Sequence, residues 1–154
     1  MGTNSQILIT QNGLNELKGE LTDLQNTKRP ALVERLSLAR SMGDLAENSD
    51  YISAKEELSF MDSRIDELEE LVREARVVTP KSNEKIDFGH LVTVRINSGT
   101  AQFQIVGEPE ADPTKRKISH SSPLGQALMG KKIGDSVEVE APVGKIKYQI
   151  VSIA

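Results

Sequence analysis

Apolar residues recur at heptad spacing twice in the first half of the chain. Leu14, Leu17, Leu21 and Leu24 follow a 3-4-3 interval, the seam of a helix that packs along one face. Thr10 is the expected N-cap. The run continues through Ala31, Leu32, Leu36 and Ala39, with its phase loosened around Pro30. A proline inside a helix lacks an N–H and collides with the preceding turn, so a kink or brief break is expected at Lys28-Arg29-Pro30. The second run is Tyr51, Ala54, Leu58, Met61, Ile65, Leu68, Val72 and Ala75, with intervals alternating between 3 and 4. Polar residues fill the outer positions, notably Glu56-Glu57, Asp66-Glu67 and Glu69-Glu70. Stripes this narrow fit two antiparallel helices zipped along a single seam. At 1.5 Å per residue, roughly 30 residues make an arm about 45 Å long.

Thr79-Pro80-Lys81-Ser82-Asn83 is a polar break that reads as a linker. Beyond it the period changes to 2. Strands are expected at His90–Ile96 and Ala101–Val106 around a turn at Asn97-Ser98-Gly99-Thr100. Two more are expected at Val137–Glu140 and Lys145–Val151 around Ala141-Pro142-Val143-Gly144. Between the strand pairs lies a short helix with Ser122 as N-cap, Pro123 as its first residue and Gly130 as its stop. The expected fold class is α+β in two domains. Residues 1–79 form an antiparallel coiled-coil hairpin, and residues 80–154 form an antiparallel sheet carrying one short helix.

A chain of 154 residues accommodates this division. Aromatic residues are only 3% and Trp is absent, so the cores rest on aliphatic side chains. The net charge is −4, unevenly spread. Residues 1–79 hold 9 Lys/Arg and 15 Asp/Glu, whereas residues 80–154 hold 10 and 8. A globally basic nucleic-acid binder is excluded, though a local patch is not. Absence of Cys removes disulfides, thiolate metal sites and cysteine nucleophiles. With a polar start and no run of about 20 apolar residues, no membrane span is expected, and the default location is the cytoplasm.

The stretch joining the two helical runs is Gly43-Asp44-Leu45-Ala46-Glu47-Asn48-Ser49-Asp50-Tyr51. It forms the tip of the hairpin, away from any core. Asp44-x-x-Glu47 has two readings on spacing alone. One is a capping box that restarts the second helix after the Gly43 turn. The other is a pair of carboxylates sharing Mg²⁺, an ion often held by one or two carboxylates while water or a substrate phosphate completes its shell. Arg40 and Lys55 flank the tip, and Lys28, Arg29 and Arg35 lie further down the first arm. They are either ordinary solvated charge or a basic stripe that leads a phosphodiester chain toward the acids. Asp50 is an additional acid one turn on. His90 and His120 are isolated, and neither is read as a ligand.

Gly43-Asp44-Leu45-Ala46-Glu47-Asn48, with Tyr51 and Ala54-Lys55-Glu56, resembles the tip signature of bacterial Gre transcript-cleavage factors, the GreA branch more closely than the GreB branch. A second signature follows in order: Ser122-Pro123-Leu124-Gly125 with Ala127-Leu128, Gly130-Lys131, Gly134-Asp135 and Pro142-x-Gly144. The resemblance covers nearly the whole chain. It implies an FKBP-like C-terminal domain that docks at the rim helices of the largest subunit of bacterial RNA polymerase, while the arm enters the secondary channel. There the extruded 3′ end of backtracked nascent RNA is cleaved by the polymerase's own active site.

Asp44 and Glu47 match the family's catalytic acids. The resemblance implies, by two-metal logic, that they would stabilise a second, loosely held Mg²⁺ able to position and deprotonate the attacking water, the first ion belonging to the polymerase. The factor alone is then not an enzyme, binds no metal tightly and is expected to be a monomer. Arg40, Lys55, Asn48 and Tyr51 are expected against RNA or the channel walls, with Tyr51 equally suited to packing against Leu38 or Ala39. The face around Ser121, Ser122, Pro123, Leu124 and Gly125 is expected to meet the polymerase, although Ser122-Pro123 is also an ordinary cap and first-turn proline. Two alternatives remain at this stage. One is a channel-plugging inhibitor of the same architecture. The other is an interaction module without polymerase binding. Prolyl isomerase chemistry is disfavoured, because Phe88, Phe103 and Tyr148 are too few to line a pocket and also build a core.

Overall fold

The computed structural model describes residues 6–44, 47–97 and 99–154. By contact the chain divides into a helical arm, Leu14–Glu74, and a body made of the chain up to Gly13 together with Ala75–Ala154. By contact, residues 6–13 and those from Ala75 group with the body.

In the arm, α1 (Gln11–Asp23) runs through a π-helical turn at Leu24–Lys28 into α2 (Arg29–Ser41), and α3 (Ser49–Glu74) returns alongside. The expected break at Pro30 is this wide turn, in which the Arg29 N–H reaches the Leu24 carbonyl five residues back. In a regular helix the Pro30 ring would meet the carbonyl four residues earlier; the π-turn relieves that clash without breaking the rod. The seam is the one the spacing predicts. Leu17, Leu32, Ala39, Ala54, Ile65 and Leu68 are buried, with Leu21, Leu24, Leu36, Leu58, Met61 and Val72 half-buried beside them. Ala31 is exposed and takes no part.

Ala75 is not the last seam residue of α3. The helix stops at Glu74, and Ala75–Val77 forms β2, paired in parallel with β1 (Ile7–Ile9). Two three-residue strands have no readable period, and only their pairing makes them strands. Thr10 caps α1 as expected, its hydroxyl accepting from the Gly13 N–H at 3.1 Å. Its own N–H donates to the Glu110 carboxylate at 2.9 Å, and its hydroxyl also bonds that carboxylate. Glu110 thus plays the part that a Glu in the first helical turn plays in a capping box, from 100 residues away.

The body's sheet has the order β5-β4-β3-β7-β6. Its strands are β3 (Leu91–Ile96), β4 (Gly99–Val106), β5 (Lys117–Ser119), β6 (Ser136–Ala141) and β7 (Gly144–Ile153). Four of these were expected; β5 was not, and it joins β4 in parallel, so the sheet is mostly rather than wholly antiparallel. Ser98, in the expected β3–β4 turn, lies outside the described residues. The alternating inward residues Val92, Val94, Ile105, Val137, Ile150 and Ile153 build one core with Ile86 and with Leu128 of the short helix α4 (Pro123–Leu128). Phe103 and Tyr148 pack edge to face beside it, and Phe88 is buried against His120.

Gly125 sets the closeness of α4 to the sheet. A Cβ there would stand 2.1 Å from the Ser119 carbonyl oxygen, which is backbone and cannot swing aside. Gly125→Ala is expected to destabilise the body by about 1–3 kcal/mol. Gly19→Ala, at an open helical position with nothing within 4 Å, is expected to stabilise by about 0.5–1 kcal/mol. Denaturant midpoints of the two variants test the pair, and a neutral Gly125→Ala would refute the close-approach argument.

Candidate functional site

At the tip, α2 ends at Ser41 and the chain reverses at Gly43, whose φ of +128° is a conformation that side-chain-bearing residues avoid. Leu45 and Ala46 lie outside the described residues. Asp44 and Glu47 are both exposed and neither belongs to a helix. The next helix begins at Ser49, and its cap is Asn48. The Asn48 Oδ1 accepts the Tyr51 N–H at 3.1 Å, and its carbonyl accepts the first helical bond, from the Ile52 N–H, at 3.1 Å. The capping-box reading of Asp44 and Glu47 is thereby corrected: α3 is capped by the residue after Glu47. The signal was present, since Asn is among the best N-caps, but an Asp-x-x-Glu pair four residues earlier competed with it.

Asn48 has a second partner. Its Nδ2 donates to the Ala39 carbonyl at 2.6 Å, tying the last turn of α2 to the first of α3. Arg40 lies with its guanidinium 5.9 Å from the centre of the Tyr51 ring, a cation–π contact across the same junction. Lys55 is exposed one turn further along α3.

The cations below the tip are not an open stripe. Arg29 grips Asp62 with bonds of 2.7 and 3.3 Å, and Lys28 stands 3.5 Å from Asp23. Arg35 reaches across to Asp50 at 3.1 Å and Glu57 at 2.7 Å. Arg64 of α3 holds Glu20 at 2.9 and 3.0 Å. Arg29 and Arg35 fasten one helix to the other, while Lys28 pairs with Asp23 of its own rod. Asp50, the additional acid near the tip, is engaged by Arg35.

On the body, the Ser122 hydroxyl caps α4 by accepting the Gly125 N–H at 3.1 Å, and it donates to the Ser119 carbonyl at 2.6 Å. Ser121 donates to Glu108 at 2.8 Å. Pro123 is exposed at the first position of the helix, Leu124 is half-buried against the core, and Gly125 is buried. His90 is fully buried. Its Nδ1 accepts the Asp87 N–H at 2.8 Å, so its Nε2 carries the proton toward Asn83, 3.1 Å away, and the ring is a structural brace. Among the described residues no three His, Cys, Asp or Glu converge as a metal cage, and no helix is long and apolar enough to cross a membrane.

Both halves of the chain match family models. Residues 7–77 match the N-terminal domain of a transcription elongation factor, and residues 81–154 match the C-terminal domain of transcription elongation factors GreA/GreB. The chain belongs to the GreA/GreB family of transcription elongation factors. It is 40% identical over 157 residues to the transcription elongation factor GreA of Bacillus anthracis, covering 99% of each chain. It is 42% identical over 149 residues to the protein of that name from Lactococcus lactis subsp. cremoris, covering 94% of this chain and 96% of the relative. Among solved structures, GreA factor homolog 1 of Thermus thermophilus is 27% identical, with 97% and 99% of the two chains covered and a TM-score of 0.45.

The cross-helix pairs are expected to give the arm of this family member a dependence on acid. The hydrogen bond from Arg29 holds the Asp62 carboxyl below its ordinary value of 3.8, and the bond from Arg64 holds Glu20 below 4.5. Depressed carboxylates contribute stability above their unfolded-state values and lose it as pH falls through the folded ones. Melting of the arm is therefore expected to be flat from pH 7 to 5 and to fall below about pH 4.5. The fall should be smaller in Arg29→Met/Arg64→Met and in high salt, since these pairs are solvent-exposed. Identical acid profiles for wild type and double variant would show that the pairs contribute nothing.

Proposed function

We propose that this protein stimulates the endonucleolytic cleavage of backtracked nascent RNA by bacterial RNA polymerase, reaching the polymerase active site through the secondary channel. The observation that carries the reading is the tip. Two exposed carboxylates, Asp44 and Glu47, stand at the end of a two-helix arm, and the cap of the following helix is supplied by Asn48 instead. Exposed carboxylates that precede the helix, outside its first turn, can face a partner.

The donor set fits Mg²⁺ completed by others. Two carboxylates offer the hard oxygen ligands the ion prefers, in a number that leaves most of its shell to water, RNA phosphate or polymerase side chains. Asp44 and Glu47 would hold it; when bound, the ion supplies the positive charge that activates water and steadies the leaving oxygen. Arg40, kept beside the tip by its contact with Tyr51, and the exposed Lys55 would attract the extruded RNA 3′ segment. Tyr51 would form the floor on which that segment lies, with Asn48 holding the turn beneath it. The turn at Ser121–Gly125, with Pro123 at the surface, would dock on the polymerase rim. The protein by itself would hydrolyse nothing.

The test uses stalled, backtracked elongation complexes with labelled RNA and Mg²⁺. Wild-type protein is expected to release short 3′ fragments, and Asp44→Ala/Glu47→Ala is expected to release none while competing equally for polymerase. Because Asn48 caps α3, Glu47→Ala should melt within about 0.5 kcal/mol of wild type, whereas Asn48→Ala should cost about 0.5–2 kcal/mol. Slowed elongation without cleavage by wild type and double variant alike would overturn the proposal in favour of a channel-plugging inhibitor.

A further inference from the structure

We infer that Asn48 is a positioning residue for the acidic pair: by joining the end of α2 to the start of α3 it restricts where Asp44 and Glu47 stand, and so sets how strongly they hold a shared Mg²⁺. The inference rests on the cleavage reading above.

Both functional atoms of the Asn48 amide are in use, one on each helix. The Oδ1 accepts from Tyr51 in α3, and the Nδ2 donates to Ala39 in α2. The Ala39 carbonyl also receives the Met42 N–H at 3.2 Å, so the last turn of α2 closes onto one oxygen. Ala39 is 1% exposed and Ala54 is completely buried. Small side chains thus occupy these two buried positions near the tip, and Asn48 spans the junction beside them.

The two hydrogen bonds pin residues 39 and 48, the ends of the segment that contains both acids. Carboxylates on a segment with fewer conformations lose less entropy when they close on an ion. Only a primary amide does this work. Asp and Ser both cap the Tyr51 N–H, but a carboxylate has no proton for Ala39 and a hydroxyl is too short to serve both partners. Arg35 and the Arg40–Tyr51 contact hold the first turns of α3 to α2 independently, so losing the Nδ2 bond should loosen the tip without unzipping the arm.

Asn48→Asp separates these roles. In the free, metal-free protein, backbone order parameters at Asp44 and Glu47 are expected to fall relative to wild type, while those at Ile52 and Ala54 stay unchanged. The thermal unfolding midpoint is expected to fall slightly, by the one hydrogen bond lost to Ala39, and competition for polymerase is expected to match wild type. The Mg²⁺ concentration for half-maximal RNA cleavage is expected to rise about tenfold or more, with the rate restored at saturating Mg²⁺. Asn48→Ser repeats the comparison without an added charge, should the Asp variant perturb the fold. Unchanged order parameters with an unchanged Mg²⁺ midpoint would overturn the inference. So would a loss of cleavage that Mg²⁺ does not restore, which would make Asn48 a direct contact to RNA or polymerase. Absence of cleavage by wild type would defeat the reading of function instead, and the order-parameter comparison would still decide whether Asn48 holds the tip.

Discussion

Two helices share only one seam, and the arm is shaped by that limit. A pair without a third neighbour can bury a single strip of side chains, here Leu17, Leu32, Ala39, Ala54, Ile65 and Leu68 among the fully buried. Heptad packing along such a strip tolerates sliding by one repeat. Arginine–carboxylate contacts between the helices resist that sliding, most directly where one guanidinium fork grips one carboxylate with two bonds, as Arg29 grips Asp62 and Arg64 grips Glu20. Exposed pairs of this kind contribute only about 0.2–1 kcal/mol each. Their value in a two-helix rod is register more than stability.

That solution has a consequence for the chemistry at the tip. Arg29, Arg35 and Arg64 are committed to cross-helix carboxylates, so the positive charge near the tip comes from Arg40 and Lys55. The fully buried seam residues nearest that end are alanines, Ala39 and Ala54, and Asn48 bridges the two helices there. Packing, capping and placement of the two acids thus meet in one short stretch of chain. The body solves a different problem. There a conventional aliphatic core and a glycine pressed against the Ser119 carbonyl present the α4 turn at the surface.

Much of this was legible before any coordinates. The seam residues follow from interval counting, the short helix from Ser122, Pro123 and Gly130, and four sheet strands from alternation. Pro30 announced a disturbance, though not that a π-turn would absorb it. The three-residue strands β1, β2 and β5 were not legible. Three residues carry no period, and Ala75 lay in phase with the preceding helix until pairing of Ala75–Val77 with Ile7–Ile9 claimed it. The acidic pair was legible as a motif, but its local role was ambiguous, because Asp44-x-x-Glu47 and Asn48 are both good ways to begin a helix.

What the amino-acid sequence determined by itself was whatever depends on neighbours in the chain: the phase of the apolar stripes, the change of period after the linker, the turn residues and the identity of the tip. Tertiary structure decided the choice of partners. Arg35 found Asp50 and Glu57, Glu110 capped a helix 100 residues away, and Asn48 took both the cap and the bridge to Ala39. A hydrogen bond or ion pair forms only where two groups lie within about 3 Å in the right orientation. Segments far apart in the chain meet that condition only after the seam and the sheet have brought them together.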